Sequence, residues 1–543
     1  MRKGDWQGNR RAFMGGSTVG LVLLGLGGRA LAAEGEVTIE TATGRVRGQT
    51  LNGISRFLGI PYGADTGGAN RFLPPKPAAP WAGVRDGTMF GSSAPQTSPN
   101  PQPIPAAARP MMALFPRDPK GVMESEDCLR LNVWTPSPSR QSRKPVLVWL
   151  HGGGYSLGSA SWPVYEGSNF ARTNDTVLVS VNHRLNIFGY TYLGETLGPD
   201  YQTSGNVGQL DIALALQWVR DNIAAFGGDP GNVTIRGQSG GGSKVSVLMA
   251  MPAAHGLFHK AIIESGPGVR ATAADAAAKN AALLIDALGG KDKLKTASTQ
   301  ELLAAFFAMQ AKLPGGGMAG AGGFSPVVDG AALPRHPFDP DATPLSAQVP
   351  LLIGSTHHEQ ATFIFGQPIA DEVALLAAAQ RTLPKPGAAQ QAIAAYRAAY
   401  PQASPRQIAI LIGTDAGTGS RTRLLADRKS AQPAPVYVYR FDWETKVMNG
   451  AFGATHGMDT SFIFNNTAID PLVGGDPTAK ALAEKVSRSW GAFARTGNPT
   501  AKGGLGTWPR YTAANRQEMV INNQSRIARD PDGKLKDLLA SLA

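Results

Sequence analysis

Apolar residues along this chain are grouped in two ways that repeat in turn. Short unbroken runs bounded by turn residues occur at 146–150, 177–181, 233–235, 261–263, 351–354 and 436–439, the first reading Val146-Leu147-Val148-Trp149-Leu150. Runs of that length, rich in Val and Ile, predict strands buried on both faces. Between them the spacing turns helical: Leu210, Leu214 and Trp218, and likewise Leu216, Val219 and Ile223, recur with the period of a helix. Helical material is also predicted at about 272–310, 371–400 and 478–495. Strands alternating with helices predict a parallel sheet covered on both sides, hence an α/β fold with a large, mostly parallel central sheet. Ahead of it, 37–48 predicts two short strands around a turn at Gly44.

The interruptions are equally regular. Residues 97–118 hold Pro99, Pro101, Pro103, Pro105, Pro110 and Pro116, too many for a helix or a central strand, so this is a surface loop. The glycine cluster at 315–323 reads as a flexible loop, because it lacks the Lys-Ser/Thr pair of a phosphate cradle. At the N-terminus, Arg10-Arg11 precede a short apolar stretch and Ala30-Leu31-Ala32. That order predicts a twin-arginine export signal over 1–32, with 33–543 a single domain carried to the periplasm or beyond. The apolar centre at 19–26 is far shorter than the roughly 20 residues a membrane span requires, and no later segment reaches that length.

Composition narrows the partners. The 42% apolar content supplies a core, and the balance of +12 carries no basic run interleaved with aromatics. Nucleic acid is therefore not an expected partner. Cys128 is the only cysteine among 543 residues, so no intramolecular disulfide forms, and its neighbours read as those of a small buried apolar side chain.

Candidate chemistry centres on Gly237-Gln238-Ser239-Gly240-Gly241, which follows the run at 233–235 and precedes a helical stretch predicted at 243–250. Strand, sharp glycine turn and helix lift a serine hydroxyl above a sheet edge. A second match, Gly154-Tyr155-Ser156-Leu157-Gly158, has no helical pattern behind it. A serine nucleophile needs a base and an orienting acid, in the chain order serine, acid, histidine. His255 and His259 lie in or near the helix after Ser239, and His336 precedes Pro337 in a turn. His357 and His358 would share a loop with the acid. His456, followed by Gly457, fits a base presented at the rim of the sheet. Glu359 falls just past the carboxyl end of the run at 351–354, where α/β proteins collect functional loops, while Asp329 and Asp459 compete by spacing. The adjacent histidines have no third ligand nearby, so no metal site is expected. His151-Gly152-Gly153-Gly154 follows a strand and fits a glycine-rich loop that offers backbone N–H groups to an oxyanion, with Gly240 supplying another. Ser156 then belongs to that loop, and Ser239 is the nucleophile.

With these motifs the chain resembles the type-B carboxylesterases, which include the cholinesterases and bacterial para-nitrobenzyl esterases. The resemblance runs through Phe57-Leu58-Gly59-Ile60-Pro61-Tyr62, Arg71-Phe72, the stretch 126–136, His151 to Gly154, Gly205-Asn206-Val207-Gly208 with Asp211, and Phe226-Gly227-Gly228-Asp229-Pro230. It continues through Pro326-Val327-Val328-Asp329-Gly330, Glu359, His456-Gly457 and 490–499. It implies an α/β-hydrolase fold, a triad of Ser239, Glu359 and His456, an oxyanion hole from Gly153, Gly154 and Gly240, and no cofactor. It selects Glu359 over the competing acids, and implies scaffold ion pairs of Arg71 with Glu126 and Arg184 with Asp211. Departures are Gln238 and Gly240, where the family usually has Glu and Ala, His357-His358 where Asp is frequent, and a missing partner for Cys128 near Ala94.

The expected function is hydrolysis of small-molecule carboxylic esters through an acyl-enzyme. An amidase or thioesterase would use the same groups, and the family also resembles non-catalytic binding modules whose triad is broken. The +12 balance favours esters of anionic or polycarboxylic acids through the protein's field. If residues 1–32 are an export signal, replacing Arg10 and Arg11 by lysine leaves full-length precursor in the cytoplasm, read by fractionation and by the mass of the N-terminal peptide.

Overall fold

Alternation inside the buried runs decides which face each side chain takes. At 144–150, Val146, Val148 and Leu150 enter one core while Leu147 and Trp149 enter the other. The same division separates Val177, Val179 and Val181 from Leu178, and Leu351 and Ile353 from Leu352. A sheet apolar on both faces must be covered on both faces. The structure, a computed structural model, describes residues 34–101, 109, 114, 122–311 and 323–542. The predicted export signal, most of the proline-rich loop and nearly all of the glycine cluster at 315–323 lie outside these residues. The described residues belong to one compact unit, Ala32–Ala543.

The strands are β1 (Gly35–Thr41), β2 (Gly44–Leu51), β3 (Ile54–Pro61), β4 (Val84–Asp86), β5 (Arg130–Thr135), β6 (Lys144–Leu150), β7 (Val177–Val181), β8 (Gly228–Gln238), β9 (Lys260–Glu264), β10 (Thr272–Ala273), β11 (Val327–Val328), β12 (Leu351–Thr356), β13 (Val436–Phe441), β14 (Gln517–Ile521) and β15 (Arg526–Arg529). Among the described residues, 13 strands form one sheet in the order β1-β2-β3-β5-β7-β6-β8-β9-β12-β13-β14-β15, with β4 beside β2, and β10 pairs with β11. From β7 to β14 the neighbours run parallel, whereas β1, β2, β3 and β5 enter antiparallel and β15 leaves antiparallel. This is the α/β-hydrolase fold. Parallel register aligns Leu150 with Gly237, Gln238 with Glu264, and Gly354 with Glu264. The carboxyl ends of β6, β8, β9 and β12 therefore share one rim.

Two differences from the sequence expectations have local causes. The first hairpin turns at Ala42 and Thr43, with Gly44 already in β2, because Thr41 Oγ1 donates to Gly44 O at 2.6 Å and closes the turn earlier. The helical region at 272–310 divides into Ala274–Leu288, Lys293–Thr296 and Thr299–Gln310. Gly289 ends the first piece in a left-handed conformation, and Ser298 caps the last with Glu301 in a capping box. The helices Pro405–Thr414 and Ser420–Ser430, and the β14–β15 hairpin, had no expectation attached to them.

Buried charge is paired across the core. Arg184 Nη2 meets Asp211 Oδ1 at 2.6 Å with Nε on Oδ2 at 2.9 Å, and Arg71 meets Glu126 in the same forked way at 2.6 and 2.9 Å. A third fork, Arg236 with Glu264, lies wholly inside, with Trp490 Nε1 also donating to Glu264 at 2.7 Å. Among the described residues no helix is long and apolar enough to cross a membrane. Removing one side of a buried pair strands the other charge, so Arg184→Met is expected to cost about 3–5 kcal/mol in urea unfolding. Arg184→Met with Asp211→Leu should recover part of that loss.

Candidate active site

At the end of β8 the backbone of Ser239 takes φ 58° and ψ −124°, a conformation that costs a non-glycine residue energy and persists only where its surroundings impose it. Ser239 N–H donates to Glu264 O of β9 at 2.7 Å, which ties the turn to the next strand. The helix Gly240–Leu248 starts at the following residue, three positions before the predicted start at 243. Helix propensity disfavours glycine there, but tertiary packing demands it. A Cβ on Gly237 would lie 2.2 Å from Gly241 C, one on Gly241 would lie 2.0 Å from Leu150 O, and one on Gly240 would lie 2.1 Å from Gly154 O. Strand, helix and the glycine loop after β6 thus meet backbone to backbone around Ser239.

That loop is held by its carbonyls. His151 O accepts from Lys244 Nζ at 3.0 Å, Gly152 O from His151 Nδ1 at 2.9 Å, and Gly153 O from Leu157 N at 3.0 Å. A trans peptide points its C=O and the next N–H in opposite directions. Tying the Gly152 and Gly153 carbonyls to His151 Nδ1 and Leu157 N therefore turns the N–H groups of Gly153 and Gly154 to the opposite side. Among the described residues the N–H groups of Gly153 and Gly154 have no protein acceptor, and Gly240 N–H, first in its helix, has no intrahelical one.

Glu359, fully buried three residues beyond β12, accepts from Thr356 N at 2.8 Å through Oε1, and its Oε2 accepts from His456 Nδ1–H. The loop bearing His456 is bound to the loop bearing Glu359 by His358. Its N–H donates to Ala454 O at 2.9 Å, and its Nδ1 accepts from Ala454 N at 3.1 Å. Burial, then Arg440, pushes His358 down to about 4, so its ring stays a neutral acceptor. Burial alone would also lower His456, but the charge and hydrogen bond of Glu359, with Asp459 behind, carry its pKa above 6.5. With Nδ1–H committed to Glu359, Nε2 is the acceptor, and Gln238 Nε2 donates to it at 3.2 Å. No hydrogen bond joins Ser239 Oγ to His456 in this structure. Ser239, Gly153, Gly154 and His456 are each partly open to solvent on an otherwise buried floor.

The competing candidates are engaged elsewhere. Asp329 accepts from Asn206 Nδ2 at 2.8 Å and from the N–H groups of Ala331 and Leu333 at 2.9 Å. Nδ1 of His255 meets Leu345 O, that of His259 accepts from Val233 N, and that of His336 accepts from Ala271 N. Asp459 lies close to the site but is a separate group. Its Oδ2 accepts from Tyr439 Oη at 2.6 Å, and burial, then Glu264, pushes it up to about 7. The Ser156 hydroxyl is buried without a partner. Cys128 is buried, and burial pushes its thiol pKa up. Among the described residues no cluster of His, Cys, Asp or Glu is placed to hold a metal. Sequence reasoning treated Gln238 only as a departure, weighed His358 as a base, a metal ligand and a departure without finding its bonds to Ala454, and passed over Lys244.

An α/β-hydrolase sheet with a serine elbow, an acid–imidazole pair and a loop of free N–H groups on one rim defines a serine hydrolase. The model of the carboxylesterase family matches residues 35–536. A para-nitrobenzyl esterase of Bacillus subtilis is 36% identical over 518 residues, covering 92% of this chain and 98% of the relative. A phenmedipham hydrolase of Pseudarthrobacter oxydans is 33% identical over 90% of this chain and 96% of its own. The crystal structure of a Geobacillus stearothermophilus carboxylesterase superposes with a TM-score of 0.78 at 33% identity, covering 92% of this chain and 99% of that one. The chain belongs to the carboxylesterase family, and its reaction is the hydrolysis of carboxylic esters.

With His456 as the base expected from the sequence, its protonation would block acceptance of the serine proton, so kcat/KM should fall as pH drops through an apparent pKa above 6.5. Gln238→Glu puts a carboxylate where the amide stands, and should move that acid limb up by about one unit in a pH–rate profile.

Proposed function

We propose that Ser239 attacks the ester carbonyl while His456 takes its proton and then passes it to the leaving alcohol. Glu359 holds the imidazole in the Nδ1–H tautomer and stabilises the imidazolium as it forms. The N–H groups of Gly153, Gly154 and Gly240 receive the negative charge of the tetrahedral intermediate. Water then releases the acyl group by the same path in reverse. For His456 to serve Ser239, its Nε2 exchanges the Gln238 amide for the serine hydroxyl when substrate enters; such contacts commonly tighten only in the complex. The observation that carries this assignment is the pairing of buried Glu359 with His456 on the rim that also carries Ser239.

The chain is further proposed to be exported, on the strength of the N-terminal motif. On substrate class, Phe363 stands half exposed with its ring 5.0 Å from that of His456, which offers an aromatic face beside the base and favours esters with an aryl group. A relative is named for para-nitrobenzyl esters, and a similar esterase of Clostridium hathewayi, with a TM-score of 0.77 at 31% identity, is described as hydrolysing aliphatic aromatic polyesters. The chain's net charge of +12, of which +4 lies in residues 1–32 (five Lys/Arg against one Asp), favours anionic esters instead.

Ser239→Ala should lower kcat by at least about 10⁴-fold with circular dichroism and unfolding midpoint unchanged. Turnover within tenfold of the parent would sink the nucleophile assignment. A matched panel of methyl, benzyl and carboxylate-bearing esters at low and high salt separates the substrate readings. A benzyl preference indifferent to salt follows from Phe363, and a carboxylate preference that salt abolishes follows from the net charge.

A further inference from the structure

Lys244 stands one turn into the helix Gly240–Leu248 and is fully buried. Its Nζ donates to His151 O at 3.0 Å, and no carboxylate faces it. The titratable side chains nearest in effect are His151 and His183, whose rings stack at 5.0 Å and 8°. Burial, and after it the charge of Lys244, holds both far below 6.5, so both are neutral. Burial pushes Lys244 itself down to about 7. A buried ammonium with one acceptor and no countercharge destabilises a fold, and an unbranched apolar side chain in its place would cost less. Stability does not account for this residue.

Its single partner does. The His151 carbonyl lies at the root of the glycine loop. The same oxygen is 3.0 Å from where a Cβ on Gly241 would sit, so it is wedged between the helix backbone and the ammonium. The next carbonyl, Gly152 O, is bound by the His151 ring, and the one after by Leu157 N. Of these three bonds only the first comes from outside the loop, from the helix that follows Ser239, while Asn186 and Gln96 hold the loop's far end at Tyr155 O, Ser156 O and Gly158.

We propose that Lys244 is a positioning residue of the oxyanion loop: its bond to His151 O fixes the loop against the helix that follows Ser239, and so aims the N–H groups of Gly153 and Gly154. This role rests on the assignment of those two groups as oxyanion donors. It acts on the transition state far more than on bound ester, because the charge the loop must meet develops only during reaction.

The test compares the full chain with Lys244→Met and Lys244→Gln. The measurements are kcat and KM on a p-nitrophenyl ester, the inhibition constant of an aryl trifluoromethyl ketone, and the thermal midpoint at pH 6 and pH 9. Either variant should lose at least tenfold in kcat while KM stays within threefold. The ketone, whose adduct with serine carries an oxyanion, should weaken by the same factor as kcat/KM. The lowered pKa of folded Lys244 makes its charge penalty fullest below pH 7 and relieves it as pH rises toward the unfolded value of 10.5. Lys244→Met should therefore melt no lower than the parent at pH 6, with a smaller advantage at pH 9. A kcat within twofold of the parent in either folded variant overturns the proposal. So does a lost kcat accompanied by a lower midpoint at pH 6 and an unchanged ketone constant, which would mark a structural role. If Lys244→Met does not fold, stability did require the lysine, and Lys244→Gln decides by the same kinetic criteria. A parent enzyme that the ketone does not inhibit overturns the oxyanion assignment itself and this role with it.

Discussion

The backbone of Ser239 is held where a residue with a side chain does not settle unaided, at φ 58° and ψ −124°. Much of the surrounding structure can be understood as what holds it there. The turn is tied to β9 through Glu264 O, and the helix that follows is pressed onto β6 until Gly241 has no room for a Cβ. The energy stored at this one residue is offset by packing spread over two strands, a helix and a loop. Because Gly240 and Gly154 meet backbone to backbone, the elbow and the glycine loop cannot be placed independently.

Buried charge serves two different ends in this molecule. Arg184 with Asp211, Arg71 with Glu126 and Arg236 with Glu264 are forked pairs whose members satisfy one another, and they stand between elements as scaffold. Asp459 and Lys244 are buried without such a partner, each titrating near neutrality, and each lies beside the reacting rim. His358 belongs with them by place but acts differently: kept neutral by burial, it accepts the Ala454 N–H and joins the loop of the acid to the loop of the base.

Much of the α/β architecture was legible because its strands are buried on both faces and so are written as continuous apolar runs, as at 146–150 and 351–354. Edge elements carry no such signature. The strand Gln517–Ile521 with its partner Arg526–Arg529 is mixed in polarity and owes its conformation to pairing with β13. The helices at 405–430 likewise passed unmarked, although Ser404 followed by Pro405 and Gln407 is a capping signal that could have marked the first of them.

At the site, local sequence determined the elbow, the glycine loop and a short list of bases and acids, since each depends on chemistry confined to a few consecutive residues. The choice among Glu359, Asp329 and Asp459 was not local. Asp329 is taken up by its own turn and Asn206, Asp459 by Tyr439, and only Glu359 meets His456. The partners of Gln238 and Lys244 were equally beyond the sequence, because each is reached across a gap between elements: Gln238 Nε2 finds an imidazole 218 positions on, and Lys244 Nζ a carbonyl 93 positions back. What the chain fixes by itself is the short-range geometry of each turn and the apolar faces of its strands. Which polar groups meet is decided by the register of the parallel sheet, since that register brings the carboxyl ends of β6, β8 and β12 onto a single rim.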